Sequence, residues 1–319
     1  MTTSTLSDDV RAALARRKYS PRTAEAYVHW TREFVRFHDD RPPREMAAPE
    51  VAAFLNDLTT GRRAAASTHN QALCVLVFLY RHVLERPLGP MAELTAPIQT
   101  ADGPAVLSRS EVRAVLDALE SPFRLIAELL YGSGLRLVEC LALRVRDVDI
   151  DRRRITVRGA HGDDDRAALL PAAAGDALRT QLAHVERRHR KELAGGRGAV
   201  DVPEQRSVGM RDAAPSLAWR HLFPSSRSCT DPATGEPILQ HVHERAVQNA
   251  VLEAARTAGI GNRVTPSALR HSFAAHLFEA GTDIRLIQAL LGHKDIRRTM
   301  LLTRIVDRSP LGVVSPLDR

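Results

Sequence analysis

Three short blocks of this sequence carry residue types that bind phosphate. Arg136 follows a Gly-Ser-Gly turn at 132–134, Arg270 lies within the run 266–276, and His293 ends a Leu-Leu-Gly-His run. Guanidinium groups make forked, charge-assisted hydrogen bonds to phosphate oxygens, and a histidine can add a further donor. Each block could therefore deliver a donor side chain to a phosphate group: Arg136, Arg270 and His293.

Each block also has a simpler interpretation. Arg136 would pair with Glu139 or Glu128 on the surface of a helix. Arg270 would be the solvated residue of an amphipathic helix, and His293 would be an exposed residue that follows a glycine at the end of a helix. Each of these interpretations is plausible for one block taken alone.

Cutting a phosphodiester while keeping its bond energy takes few chemical groups. A hydroxyl nucleophile forms a covalent phosphoryl-enzyme, and cations stabilise the charge on the pentacoordinate phosphorus. A general acid then protonates the leaving 5′ oxygen. None of these steps uses a metal ion or a nucleotide, so we expect no cofactor.

In order and spacing the three blocks resemble those of the tyrosine recombinases, the phage integrase family, and the run 291–304 resembles the last active-site block. The resemblance implies that Arg136, Arg270 and His293 bind one phosphate group together. In that family the Leu-Gly-His turn leads into a short helix that carries the tyrosine attacking DNA. The matching position here is Leu302. The only tyrosines of this sequence lie far upstream, at Tyr19, Tyr27, Tyr80 and Tyr131.

Segments along nearly the whole chain narrow the resemblance to integron integrases: 20–27, 65–73, 222–226, 229–232 and 315–318. The region 194–220 matches the extra helical insertion of that subfamily. There the insertion and its flanks grip bases that protrude from folded single-stranded recombination sites. The resemblance implies that Trp219 and His241 stack on such a base. Packing of Trp219 beneath the insertion is the alternative.

The sequence departs from the family pattern at several positions. Leu302 replaces the nucleophilic tyrosine, Ser267 stands where the first catalytic histidine is expected, and His161 stands where the β-turn lysine is expected. The aspartates at 163–165 would repel a phosphate backbone, and the segment 87–104 lacks the usual basic run. Loss of the nucleophile, the general acid and one histidine together predicts a protein that does not cut DNA.

Periodicity and punctuation predict two domains and a mainly α fold with a small β-sheet, an α+β class. Residues 1–86 are expected to be all helical, and the resemblance makes them a SAM-like core-binding clamp on DNA. Residues 87–104 form a Pro-punctuated linker. Residues 105–319 are expected to form the integrase catalytic fold, with Ile155 and Val157 in one strand and 168–170 in its partner.

Local signals also predict where helices begin. Ser20 and Pro21 are a favoured pair of N-cap and first helical residue, and Ser67 is expected to open a later helix. Ser108 and Glu111 are spaced as a capping box. Further helices are expected near 109–120, 122–131, 136–144, 172–193, 242–258, 266–280 and 283–291, with a short one after 295.

The first domain offers polar residues between its apolar stripes. These are the DNA-facing candidates: Arg22, Arg62, Arg63, Thr68, His69 and Asn70. The net charge of +7 favours a polyanionic partner, and nearly all the basic residues are arginine. A GC-rich genome would also raise the arginine content, so the charge leaves both explanations open.

Three isolated cysteines indicate a reducing compartment, and no apolar stretch is long enough to span a membrane. Residues 1–10 contain Asp8 and Asp9 and lack the basic start of a signal peptide. We therefore expect a cytoplasmic protein. By resemblance its partner is DNA, bound as a homo-oligomer such as a tetramer.

The resemblance implies site-specific DNA recombination through a phosphotyrosyl link, and the departures predict a degenerate copy that binds without cutting. Two alternatives remain open. An active recombinase would use an unusual nucleophile such as Thr299, Thr303 or Ser309, although the sequence offers no evident activating base. A protein without a DNA role would use its C-terminal helix for packing against other protein subunits.

Overall fold

The computed structural model of the chain describes residues 3–88, 104–159, 165–195, 216–230, 235, 237–261 and 264–303. The chain divides into two compact units, Met1–Asp102 and Gly103–Arg319. The mainly helical α+β class predicted from the sequence is confirmed. Within the described residues, every helix is too short or too polar to cross a bilayer.

The described part of the first unit is built from helices. Ser20 caps the second of them by accepting a hydrogen bond from the backbone N–H of Thr23, and Pro21 is its first residue, as predicted. Two further segments with wider turns, at 57–61 and 79–83, continue the third and fourth helices. The α-helices are α1 Thr3–Arg16, α2 Pro21–Phe37, α3 Ala48–Asn56 and α4 Ala66–Phe78.

Large buried side chains from these helices form one core. Phe34 of α2 packs edge-on against Phe54 of α3 and Tyr80, with ring centroids 5.6 and 6.4 Å apart. The Tyr80 hydroxyl donates to the backbone oxygen of Pro43 at 3.1 Å, so its polar end is satisfied inside the core. The helix predicted to open at Ser67 begins at Ala66, and its N-cap residue Ala65 makes no side-chain cap hydrogen bond.

The second unit combines eight described helices with two small sheets. The capping box of Ser108 and Glu111 is confirmed at the start of its first helix. The helices are α5 Arg109–Asp117, α6 Phe123–Ser133, α7 Leu137–Ala142, α8 Gly175–Ala194, α9 Glu244–Thr257, α10 Pro266–Glu279, α11 Ile284–Leu291 and α12 Ile296–Thr303.

The larger sheet is antiparallel, with strand order β1–β2–β3 and strands Val148–Asp149, Arg154–Val157 and Arg166–Leu169. Ile155 pairs with Ala168, which confirms the predicted hairpin. The strand β1 was not predicted, because two residues are too few to show the alternation of apolar and polar side chains that marks a strand. A second sheet pairs β4, Cys229–Thr230, with β5, Pro237–Ile238.

Helix α6 lies at the centre of the second unit and packs against α5, α9 and α10. Its apolar residues Ile126, Leu129 and Leu130 are fully buried, and Leu269 of α10 belongs to the same core. This packing brings the end of α6 and the beginning of α10 together. Arg270 lies on α10, and Arg136 lies in the turn between α6 and α7.

Candidate phosphate-binding site

The three sequence blocks meet at one cleft of about 690 Å³ in the second unit. Arg136 comes from the turn before α7, and Arg270 comes from the first turns of α10. His293 follows Gly292, the C-cap residue of α11. Ser267 also lines the cleft and is exposed. The structure therefore brings together four of the residues singled out in the sequence.

Arg270 is almost fully buried, with 6% of its surface exposed. Its guanidinium donates to the backbone oxygens of Gly134 and, at 2.7 Å, Leu291. Burial, followed by the neighbouring Arg136, lowers its pKa to about 9. A buried cation with this little hydration gains by meeting an anion, so the site is electrostatically prepared for phosphate.

Gly134 is required at the end of α6 for two reasons. Its φ of +63° is left-handed, and a Cβ there would lie 2.5 Å from the ring of Phe273. The close approach lets the Gly134 oxygen accept from Arg270. The glycine turn of the first block thus positions the arginine of the second.

One carboxylate, Glu139, lies among three guanidinium groups. It is 2.7 Å from Arg136, 2.7 Å from Arg166 and 3.6 Å from Arg270. It also accepts a 2.7 Å hydrogen bond from the backbone N–H of Arg136. The surface pairing considered for Arg136 is therefore real, but it occurs at the edge of the cleft. The Arg136 side chain remains 42% exposed towards solvent.

The His293 ring lies between Arg270 and Thr299. Its Nε2 is 3.2 Å from Arg270 Nη2, and its Nδ1 is 3.0 Å from Thr299 Oγ1. Because a guanidinium can only donate, Nε2 accepts, and the proton of the neutral ring lies on Nδ1 and is donated to Thr299. Burial, then the charges of Arg270 and Arg136, lowers the His293 pKa to about 4. The imidazole is therefore neutral at pH 7.

Leu302, at the position expected for the nucleophile, lies in the interior. Only 4% of its surface is exposed, and it clusters with Phe273, Ile287 and Leu291. Its neighbour Leu301 is half exposed. The side chain thus fastens α12 to α10 and α11 and offers no reactive atom.

Other hydroxyls of the described chain are poorly placed to replace it. Thr299 is fully buried and is held by His293. The sequence did not reveal this contact, in which His293 Nδ1 donates to the hydroxyl and therefore does not take up its proton. Tyr131 binds His276 Nδ1 at 2.9 Å and lines a different groove with Arg109 and Arg124. Ser309 and the Thr303 side chain lie outside the described residues.

Several predicted features also fall outside the described residues. His161 and the aspartates at 163–165 are in or next to the segment 160–164, which is not described, although Asp165 itself accepts from the Gly159 N–H at 3.0 Å. Most of the linker and of the insertion is likewise outside, so their predicted roles stay predictions.

Sequence reasoning missed Arg166, the first residue of β3, which binds Glu139 beside the site. A signal was present, because a basic residue opens the strand that follows the hairpin turn expected at the active site. Arg298 of α12 was also missed; it lines the cleft. Neither could be assigned without the tertiary structure.

The candidates in the first unit have unequal surroundings. Arg62 is paired with Glu33 at 3.0 Å and with Asp57 at 2.9 Å, and His69 is buried. Arg22 and Arg63 are exposed, whereas Thr68 and Asn70 are half-buried. Arg62 is exposed as well, so all three arginines are accessible to a phosphate backbone.

Trp219 is buried in the described structure, with 3% of its surface exposed. The Arg146 guanidinium lies 4.5 Å from the ring centroid, and Arg158 lies 5.8 Å from it. His241 is half-buried and packs edge-on against His221 at 5.3 Å. Stacking of a base on Trp219 would require these arginines to move. Packing of Trp219 beneath the insertion stays a prediction, because residues 196–215 lie outside the described part of the chain.

Comparison with known proteins decides the family. The phage integrase family matches residues 105–307, and the N-terminal SAM-like domain of phage integrases matches residues 6–90. The chain belongs to the phage integrase family. An integrase/recombinase of Escherichia coli is 40% identical over 311 residues, which cover 98% of this chain and 92% of that protein.

More distant relatives share the same architecture. Tyrosine recombinase XerA of Thermococcus kodakarensis is 30% identical over 289 residues, covering 90% of this chain and 86% of that protein. Lambda integrase(75-356), solved as a dimer bound to a COC′ core site, has a TM-score of 0.64 at 17% identity and covers 97% of each chain. This likeness shows that the fold is that of a tyrosine recombinase.

Proposed function

We propose that this protein is an integron-integrase-like member of the family that binds recombination-site DNA and does not cleave it. The observation that carries the proposal is the contrast within one site. Arg136, Arg270 and His293 still line a single cleft, whereas position 302 holds a buried leucine. Phosphate binding needs the cations alone, and cleavage needs a nucleophile as well.

The DNA partner is supported by charge and by the relatives. The sequence carries a net charge of +7, and several solved structures of this fold are recombinases bound to DNA, lambda integrase among them. The integron subtype, folded single-stranded sites and a tetramer on DNA rest on the sequence resemblance at 20–27, 65–73 and 194–220. We assign DNA clamping to residues 1–86 and the phosphate site to 105–319.

The absence of cleavage is supported by the surroundings of each hydroxyl. An unusual nucleophile would need a base and access to the phosphate. Thr299 is fully buried and accepts a hydrogen bond from His293 Nδ1, which is therefore no base for it. The Tyr131 hydroxyl is engaged by His276 outside the cleft. Ser267 is accessible, yet the described residues place no base in hydrogen-bond contact with it.

The proposal is tested by the affinity of the purified chain for folded single-stranded recombination sites, measured by gel shift across a range of salt concentrations. Arg136→Ala should weaken binding by about 1–3 kcal/mol and reduce the salt slope by about 1, since one phosphate contact is lost. Arg124→Ala is the matched control. Arg124 is also half exposed and paired with a carboxylate, Glu128, but it lies away from the cleft.

Equal losses of DNA affinity in the two variants would show that Arg136 contributes only its positive charge and makes no specific phosphate contact. Binding that is insensitive to salt in the unmodified chain would contradict a DNA role altogether.

A further inference from the structure

Three arginine side chains bind the C-terminal end of α11. The backbone oxygens of three consecutive residues at the end of α11 each accept from a different guanidinium. Arg166 binds the Leu290 oxygen at 2.8 Å, Arg270 binds Leu291 at 2.7 Å, and Arg136 is 3.4 Å from Gly292. Helix ends leave such carbonyls unpaired and carry partial negative charge, so they attract cations. The α11 terminus and Glu139 together form a template for the three arginines.

Arg166 uses both of its terminal nitrogens within the protein. One terminal nitrogen binds Glu139 and the other binds Leu290, and the side chain is only 18% exposed. It is not among the described residues that line the cleft. Arg166 therefore has no evident phosphate contact, although it joins β3, α7 and α11.

The turn that carries His293 is packed directly onto the Arg166 side chain. A Cβ at position 292 would lie 2.6 Å from Arg166 Nε and 2.8 Å from its Cδ, and the φ of Gly292 is +61°. Glycine is thus required both by backbone conformation and by this contact. Movement of Arg166 would be transmitted to the turn and to the His293 ring that follows it.

A structural role alone explains this arrangement poorly. Burial lowers the pKa of Arg166 despite the opposing charge of Glu139, so the guanidinium is held at an electrostatic cost. A methionine of similar length would fill the space at less cost, since buried ion pairs often stabilise less than apolar replacements. Methionine has no N–H donors, so it could not hold Glu139 and the Leu290 oxygen together as Arg166 does.

We propose that Arg166 is a positioning residue of the phosphate site, which clamps the turn at 290–293 to Glu139 and thereby fixes both the Arg136 fork and the His293 ring. The inference rests on the proposed phosphate binding. It assigns the second strand of the hairpin a role separate from the lysine position of the family.

The test compares Arg166→Met and Arg166→Lys with Arg158→Met. Arg158 is a matched control because it leaves the same hairpin, is 21% exposed and is paired with Asp147 and Asp165. DNA affinity is measured together with the His293 pKa, followed by NMR in the free, full-length protein. The NMR signal reports the position of the ring and would not change if Arg166 only stabilised the fold.

Both Arg166 variants should weaken DNA binding roughly 10- to 100-fold, the scale of charge-assisted hydrogen bonds, and should move the His293 pKa towards its ordinary value. Lysine should fail to rescue, because its single nitrogen cannot reproduce the spacing of the two guanidinium nitrogens that reach Glu139 and Leu290. Arg158→Met should leave both readouts unchanged.

Wild-type affinity and an unmoved His293 in Arg166→Lys would overturn the inference, as would equal losses in the Arg158 control. If the unmodified protein binds no DNA, the proposed function fails, and the NMR measurement still decides whether Arg166 positions His293.

Discussion

Replacement of Leu302 with alanine should detach α12 from the second unit. Leu302 is 4% exposed and contacts a cluster that contains Phe273, Ile287 and Leu291. The substitution removes three carbon groups from this cluster, at roughly 0.8 kcal/mol each. An unfilled cavity adds to that cost, and Leu→Ala losses in buried sites run from about 2 to 5 kcal/mol. We expect about 3 kcal/mol.

The expected loss of about 3 kcal/mol is larger than the stability that α12 has as an isolated helix. The helix has eight residues, and isolated helices of this length are unstable in water. The expected result is therefore local: amides of α12 should lose hydrogen-exchange protection while the core around α6 keeps it. The free energy of unfolding of the second unit should fall by at most the same amount.

The two tryptophans make this measurable in the full chain. Trp30 lies in the first unit and Trp219 in the second, so Trp30→Phe leaves a fluorescent reporter of the second unit alone. Leu301→Ala is the control, since Leu301 is adjacent and 50% exposed, and it should cost no more than about 0.5 kcal/mol. Indistinguishable stability and exchange in Leu301→Ala and Leu302→Ala would refute the assignment of Leu302 as the anchor of α12.

Two further outcomes are expected. The free energy of unfolding of the second unit should fall as the pH is lowered from 6.5 towards about 4, because the unfolded chain takes up a proton at His293 that the folded site refuses. His293→Gln should remove part of that slope in a denaturant titration, and an unchanged slope would contradict the lowered pKa. Leu302→Tyr alone should restore little cleavage, because the lysine and histidine positions hold His161 and Ser267. Adding His161→Lys and Ser267→His should raise the cleavage rate steeply, since general acid catalysis is typically worth ~10²–10⁴-fold; equal rates in the single and triple variants would show that only the nucleophile was lost.

The parts of the structure that sequence analysis predicted are those with local signals. The caps at Ser20 and Ser108 depend on neighbouring residues, so residue type and spacing are enough to find them. The hairpin around Ile155 is found from the alternation of apolar residues in its strands. Four of the residues singled out in the sequence line the cleft: Arg136, Ser267, Arg270 and His293. Helix α4 starts one residue before the predicted Ser67, which is the ordinary variation of helix ends.

The parts that could not be predicted depend on contacts between distant segments. Arg166 and Leu290 are 124 positions apart, and nothing local marks the carbonyl that the arginine will cap. Glu139 looked like a surface partner of Arg136 because a pair at this spacing is common on helices. Only the folded chain brings Arg270 to the other side of the same carboxylate.

The central claim is that the protein binds its DNA site without forming a covalent link. The direct measurement incubates the full chain with nicked suicide substrates built from folded recombination sites, followed by denaturing electrophoresis. We predict retained binding in a native gel and no protein–DNA band that survives SDS, because Leu302 offers no attacking oxygen. An SDS-stable band that disappears in Ser267→Ala, Thr303→Ala or Ser309→Ala would contradict the claim and identify the substitute nucleophile.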